Sequence, residues 1–461
     1  MANRHKLQTC TRYIVLVLGV LTLVACGRLF MDDQELVQSA REYLVDDDFK
    51  AASIELKNAL QKNPDNAEAR YLLGTISLKF GDYATAVKDF RRADKAGWQE
   101  LAHIGLARAL LGQNEFQVLL DESEIRESYP ATVRADLLAL RAAAEAGLGN
   151  MDQAERSLAE AATLQADAIY VLKSTIQLQA LAGHAKEAKE TLARALNKYP
   201  ENPEFLLLSA NTDIQDGDVD AARGTYRKVI NYDPHGYISV NGRQARLGLI
   251  RLQILARELD QAEVTIRPLF RRNARDPDAN YLGGVLAFEQ GNYDLAEERV
   301  LKVLELAPDH SPTQLLFGTI NYAQEDYEQA VYYLSKYVAV MSEQMDVRKL
   351  LGRTYLMLGQ HEEAQAALQP VLKHKADDAE LLGLVGLSEL RRGEVTAGIA
   401  RLEKAISASP DSDVLRGELA RAYIAAGDTD RAIQELQAIL MRGGSHEQTE
   451  ALLVRAYLHA G

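Results

Sequence analysis

"AEARYLLGTISLKFGDYATAVKDFRRADKAG", Ala67 to Gly97, is the stretch that decides the fold. Leu73, Ile76 and Phe80 recur at the spacing of one helical face, and Ala86, Phe90 and Ala93 repeat the pattern after a break. The break is Gly81-Asp82, which ends one helix and helps cap the next. The same grammar returns in "DANYLGGVLAFEQGNYDLAEERVLKVLELAPDH", Asp278 to His310. Each stretch has a glycine midway through its first apolar run (Gly74, Gly284) and a second one seven residues later (Gly81, Gly291). Asp or Asn followed by Tyr comes next, and then an alanine (Ala86, Ala296). One such hairpin cannot bury its apolar face, so neighbours must stack.

The pattern has a period of 34 residues. Units begin at Asp33, Ala67, Leu101, Ala135, Ile169 and Pro203, and again at Pro277, Ser311, Met345, Ala379 and Asp413. Between the two series a longer unit, 237–276, carries six extra residues, so about twelve units fill 33–446. A small residue holds position 20 in nearly all of them, from Ala52 and Ala86 to Gly398 and Ala432. Prolines close several, at Pro64, Pro200, Pro234, Pro308 and Pro410. This resembles the tetratricopeptide repeat, whose small residues let paired helices approach closely. The resemblance implies an all-α, right-handed superhelical solenoid. Two units depart from it. In 101–134 the glycines come early (Gly105, Gly112) and "NEFQVLLDESEIRESYP" fits a second helix poorly, while 237–276 opens on "YISVNGRQARLGL". Pro268 and Pro370 fall inside second helices, where each removes a backbone donor and should bend the helix. Residues 447–461 read as a lone helix, either a cap or the start of a further, truncated repeat.

The first 25 residues read differently. Arg4, Lys6 and Arg12 precede "IVLVLGVLTLV", an uncharged run too short for a spanning helix but suited to the core of a signal peptide. "LVAC", ending at Cys26, resembles the bacterial lipobox, which implies a diacylglycerol thioether on Cys26 and cleavage before it; a plain cleavage site with a chance cysteine is the alternative. On this reading 1–25 is a lipoprotein signal peptide, 26–32 a lipidated tether, and the mature chain has no free thiol. Gly27 after the cysteine, in place of Asp, points to the outer membrane over the inner, with the chain facing the periplasm.

The whole chain carries −14, and removing 1–25 takes three basic and no acidic residues, leaving −17. Such a chain is repelled by phosphate backbones, so nucleic acid is excluded as a partner, and contact with the membrane is expected through the N-terminal lipid only. No catalytic residue, metal ligand set or cofactor is expected. "HEEAQ" at His361 lacks the second histidine of a zinc-protease helix, and no phosphate-binding glycine loop or nucleophile elbow occurs. A small-molecule substrate is not expected either.

Binding is what a solenoid offers. In tetratricopeptide arrays positions 2, 5, 9 and 12 of the first helix face the groove. Filtered for aromatic and arginine anchors and their apolar neighbours, these positions give Tyr71, Leu78, Tyr281, Phe288, Leu315, Tyr322, Arg353 and Arg421 as partner-binding candidates. Packing between adjacent first helices is the competing role for each aromatic.

With lipobox and repeats in place, Leu36 to Phe90 resembles the opening repeats of the PEP-CTERM system TPR-repeat lipoprotein family. The resemblance implies a non-enzymatic, periplasm-facing scaffold that holds other envelope proteins together in exopolysaccharide production or exosortase-linked surface sorting. A periplasmic chaperone or assembly factor for outer-membrane proteins is the alternative, and an enzyme with a hidden site a third.

Overall fold

The computed structural model describes residues 31–234, 236–442 and 447–460. The lipobox and most of the tether therefore lie outside the described residues. Among those described, the chain forms 25 helices and no strand, a tetratricopeptide-type solenoid of helical hairpins.

The repeating hairpin is visible in helices Ala67–Lys79 and Tyr83–Lys95. Gly81 takes the left-handed conformation at φ 78°, which glycine adopts without steric cost, and the Asp82 carboxylate accepts the Thr85 N–H. The same aspartate or asparagine cap recurs at Asp48, Asp218, Asn292, Asp326 and Asp428. Ala86, Phe90 and Ala93 are fully buried. The Phe90 ring lies between Gly74 and Gly105, where an added Cβ would come within 2.9 and 2.4 Å of it. Small residues are required here because a large ring fills the space between three helices.

The chain divides into two compact units, one ending at Leu252 and the other running from Gln253, with the division inside helix Val240–Leu255. In the first unit, segment 101–134 forms helix Gln99–Gly112 and then only the seven-residue helix Phe116–Glu122. The loop that replaces the missing turns is held by side chains. His103 bridges Asp94, at 3.1 Å, and the buried Tyr129 hydroxyl, at 3.0 Å, while Arg141 donates to the Leu120 and Ser123 carbonyls. The first described helix is Asp33–Val45. Asp32 forms a reciprocal capping box with Glu35, and the Met31 carbonyl accepts from Lys62.

In the second unit the hairpins run from Leu259–Arg272 to Glu447–Ala460. Pro268 and Pro370 lie inside continuous helices, Leu259–Arg272 and His361–His374. Helix Glu447–Ala460 buries Ala456 against Leu436 and Ile439 of the preceding helix.

Candidate functional site

In the first unit the inner faces of successive first helices converge on a cavity of 810 Å³. Ion-pairing side chains are among those that line it. The Glu204 carboxylate accepts from Lys173 and lies 3.9 Å from Arg108, whose guanidinium sits 5.3 Å from the centre of the Tyr170 ring. Burial works to raise the Glu204 carboxyl, but Lys173 and Arg108 together hold it below its usual range. The Tyr170 N–H donates to Asp136, whose carboxyl burial pushes up to about 6 against that bond and the Arg108 charge. Burial likewise lifts the Tyr170 and Tyr83 hydroxyls above the ordinary tyrosine value. Amide and hydroxyl side chains, Gln177, Asn211, Asn241 and Thr75 among them, complete the wall. The lining thus combines charged, aromatic and hydrogen-bonding groups suited to holding a polar chain or ligand.

The sequence-predicted groove residues occupy several settings. Leu78 is buried yet reaches this cavity. Tyr71 is half-buried, stacked 6.0 Å from Trp98 and tilted 5.9 Å from Phe90, so one of its faces belongs to the packing between repeats. In the second unit Tyr281 meets His310 edge-on at 5.8 Å, Phe288 lies 5.6 Å from Tyr293, and Tyr322 lies 5.7 Å from Tyr327. Leu315 and Tyr322 pack on the cluster around Leu334 and Leu351. Arg353 pairs with Glu380 beside a small pocket of 230 Å³ that Lys349 also lines. Burial pulls the Lys349 ammonium down, yet Glu380 and Asp378 hold it above its usual value. Arg421 is exposed and pairs with Glu418 at 3.5 Å.

Sequence reasoning missed Tyr170, Lys173, Gln177, Glu204, Leu207 and Asn211. They hold positions 2, 5 and 9 of the units beginning at Ile169 and Pro203, so the positional rule contained them. The filter for aromatics and arginines discarded most of them. Arg108 and Tyr83 stand outside that rule; only the packing of these helices brings them to the cavity.

Among the described residues no cluster of His, Cys, Asp or Glu could hold a metal ion, and no helix is long and apolar enough to cross a membrane.

Comparisons with known proteins come from three directions. Two family models, each described as "Tetratricopeptide repeat", match the chain, one at residues 37–100 and 247–311 and the other at 179–240, 321–387 and 389–456. A search of curated protein sequences gave no match. Among solved structures, a chain of the Cut9–Hcn1 hetero-tetramer of APC/C is 16% identical over 95% of this chain and 93% of that one, with a TM-score of 0.43. Pseudomonas aeruginosa PilF is 16% identical over 46% of this chain and 97% of its own, at a TM-score of 0.40. MamA of Desulfovibrio magneticus RS-1 is 16% identical over 37% and 97%, at 0.35. The matched repeats, which fall on the helical hairpins described above, show that the chain belongs to the tetratricopeptide-repeat family.

Proposed function

We propose that this protein is a non-enzymatic scaffold of the cell envelope, anchored by a lipid on Cys26, facing the periplasm from the outer membrane. It gathers proteins of an exopolysaccharide or PEP-CTERM surface-sorting system by binding segments of them on the inner faces of its repeats. The observation that supports binding there is the cavity of the first unit. Tyr170, Lys173, Glu204 and Asn211 present aromatic, charged and amide groups together on inward-facing first helices. In the second unit Tyr281, Phe288, Tyr322, Arg353 and Arg421 are the corresponding anchors.

Capture from native envelopes by the full-length protein tests the reading. A few stoichiometric partners from polysaccharide synthesis or surface sorting support it, whereas a broad set of unfolded clients supports the assembly-factor alternative. Substituting Lys173, Glu204, Arg353 and Arg421 together should abolish capture without changing helix content, because interface anchors typically contribute more than ~2 kcal/mol each. Retained capture by that variant refutes the inner-face assignment. Metabolic labelling with a palmitate analogue should mark the parent and not Cys26→Ser; a labelled mutant refutes the anchor.

A further inference from the structure

Tyr237 sits at the entrance of the longer unit and touches the first two units of the array, at Phe49, Lys50 and Phe80. Its ring stacks on Phe80 at 5.4 Å and meets Phe49 edge-on at 5.5 Å, and those two rings contact each other at 5.1 Å. Its hydroxyl accepts the Lys50 N–H at 3.0 Å, across 187 residues. That amide lies in the first turn of helix Phe49–Lys62, where backbone donors have no partner within the helix, so Tyr237 caps a helix that it shares no repeat with. Three residues on, Val240 comes close to Gly81.

The loop presenting Tyr237 is itself built. The Asp233 carboxylate is almost fully buried and accepts from the Ser239 N–H at 3.1 Å and the Ser239 hydroxyl at 2.5 Å, and it pairs with Arg246 at 2.5 Å. Gly242 makes room for it, since a Cβ there would lie 1.8 Å from the carboxylate oxygen. The extra residues of this unit therefore form a fixed arm.

We propose that Tyr237 is a latch that closes the first unit on itself and controls access to its inner face. Neighbouring hairpins along the stack share long packed faces. The latch, by contrast, is one ring between two others, one hydrogen bond and the approach of Val240 to Gly81. The junction is consequently the place where the unit opens, while the stack elsewhere stays intact. The 810 Å³ cavity is lined on one side by Leu78, Lys79 and Tyr83 and on the other by Ser239, Val240 and Asn241, which flank the latch, so undocking it opens the cavity along that seam. The inference concerns this unit alone and does not rest on the identity of any partner.

The test is a spin-label distance measurement on the full chain, with Cys10 and Cys26 replaced by serine and labels at Lys57→Cys and Arg227→Cys, both exposed. The parent should give a narrow distribution with a minor long-distance population of a few per cent at most. Tyr237→Ala should raise that population at least tenfold. Tyr237→Phe keeps the rings and loses the hydroxyl; it should leave the distance closed and speed exchange of the Lys50 amide by roughly 2- to 10-fold, the worth of one hydrogen bond. A Tyr237→Ala distribution superimposable on the parent overturns the proposal. Should Tyr237→Ala lose helix content, the Tyr237→Phe exchange rate decides instead, and an unchanged Lys50 amide overturns it equally.

Discussion

Hairpin Ala67–Lys95 and the loop ahead of helix Val240–Leu255, where Asp233 meets Ser239, lie in the same unit and are held by opposite means. The hairpin rests on apolar shape: Phe90 between two glycines, Ala86 at the helix crossing, and one aspartate cap. Each device recurs at intervals of about 34 residues, so neighbouring repeats share the load. The loop rests on one buried carboxylate, which accepts twice from Ser239 and pairs with Arg246, and on the Tyr237 ring, whose hydroxyl accepts the Lys50 N–H across 187 residues. Regular repeats should therefore fail gradually and the loop all at once.

The sharpest break in the hairpin is Phe90→Ala, which removes the ring that three helices share. It should cost about 3–5 kcal/mol, read from denaturant unfolding, because the two glycines give nothing to fill the space. Exchange of backbone amides should rise across Ala67–Gly112 while the Asp233 loop stays protected. Protection lost equally in both regions would show that they are not separate cooperative parts.

Asp233→Ala tests the loop. It strands Arg246, whose side chain is 12% exposed, beside an empty site, and breaking a buried pair in this way costs about 3 kcal/mol or more. The expected signature is local: Lys50 amide exchange rises, and the Ala67–Lys95 amides do not change. Loss of protection in the hairpin instead would mean that the arm supports the whole unit.

Ala86→Leu forces bulk into a fully buried crossing and should cost about 1–3 kcal/mol by overpacking. A variant as stable as the parent would remove Ala86 from the helix interface and with it the reading of position 20.

The smallest effect comes from Asp136 and depends on pH. Its carboxyl is pushed up from 3.8 to about 6 by burial, so between those values the folded protein holds the proton that the unfolded chain releases. Stability contributed by the protonated acid is thus complete below about pH 4 and is lost as pH rises through 6. Asp136→Asn keeps an acceptor for the Tyr170 N–H and removes the cost of a buried charge. It should stabilise the protein on the order of 1 kcal/mol at pH 7.5, a figure reduced for partial solvent exposure and the lost attraction to Arg108. At pH 4 the gain should vanish. A constant difference across that range would assign the effect to packing.

Much of the architecture was readable from short stretches. The glycine–aspartate breaks located helix ends at Gly81-Asp82 and Gly291-Asn292, since a left-handed turn and a capping side chain are both local requirements. The site was less readable. Leu78 was named and reaches the cavity, but Lys173, Gln177, Glu204 and Asn211 were passed over although they hold groove positions. A polar cavity wall is made by whatever faces inward, so selection by residue type passes over it, whereas aromatics such as Tyr71 lend part of their surface to packing between repeats.

By itself, then, the sequence determined the repeat, the helix ends and the close crossings, because each depends on residues within one or two hairpins of one another. The tertiary structure alone decided that Arg108, Lys173 and Glu204 share one cavity and that Tyr237 lands between Phe49 and Phe80. Those meetings are set by small rotations between successive repeats, summed along the stack. A periodic pattern is nearly blind to that sum, since a slight change in each rotation leaves every local contact intact and moves Tyr237 away from its seat.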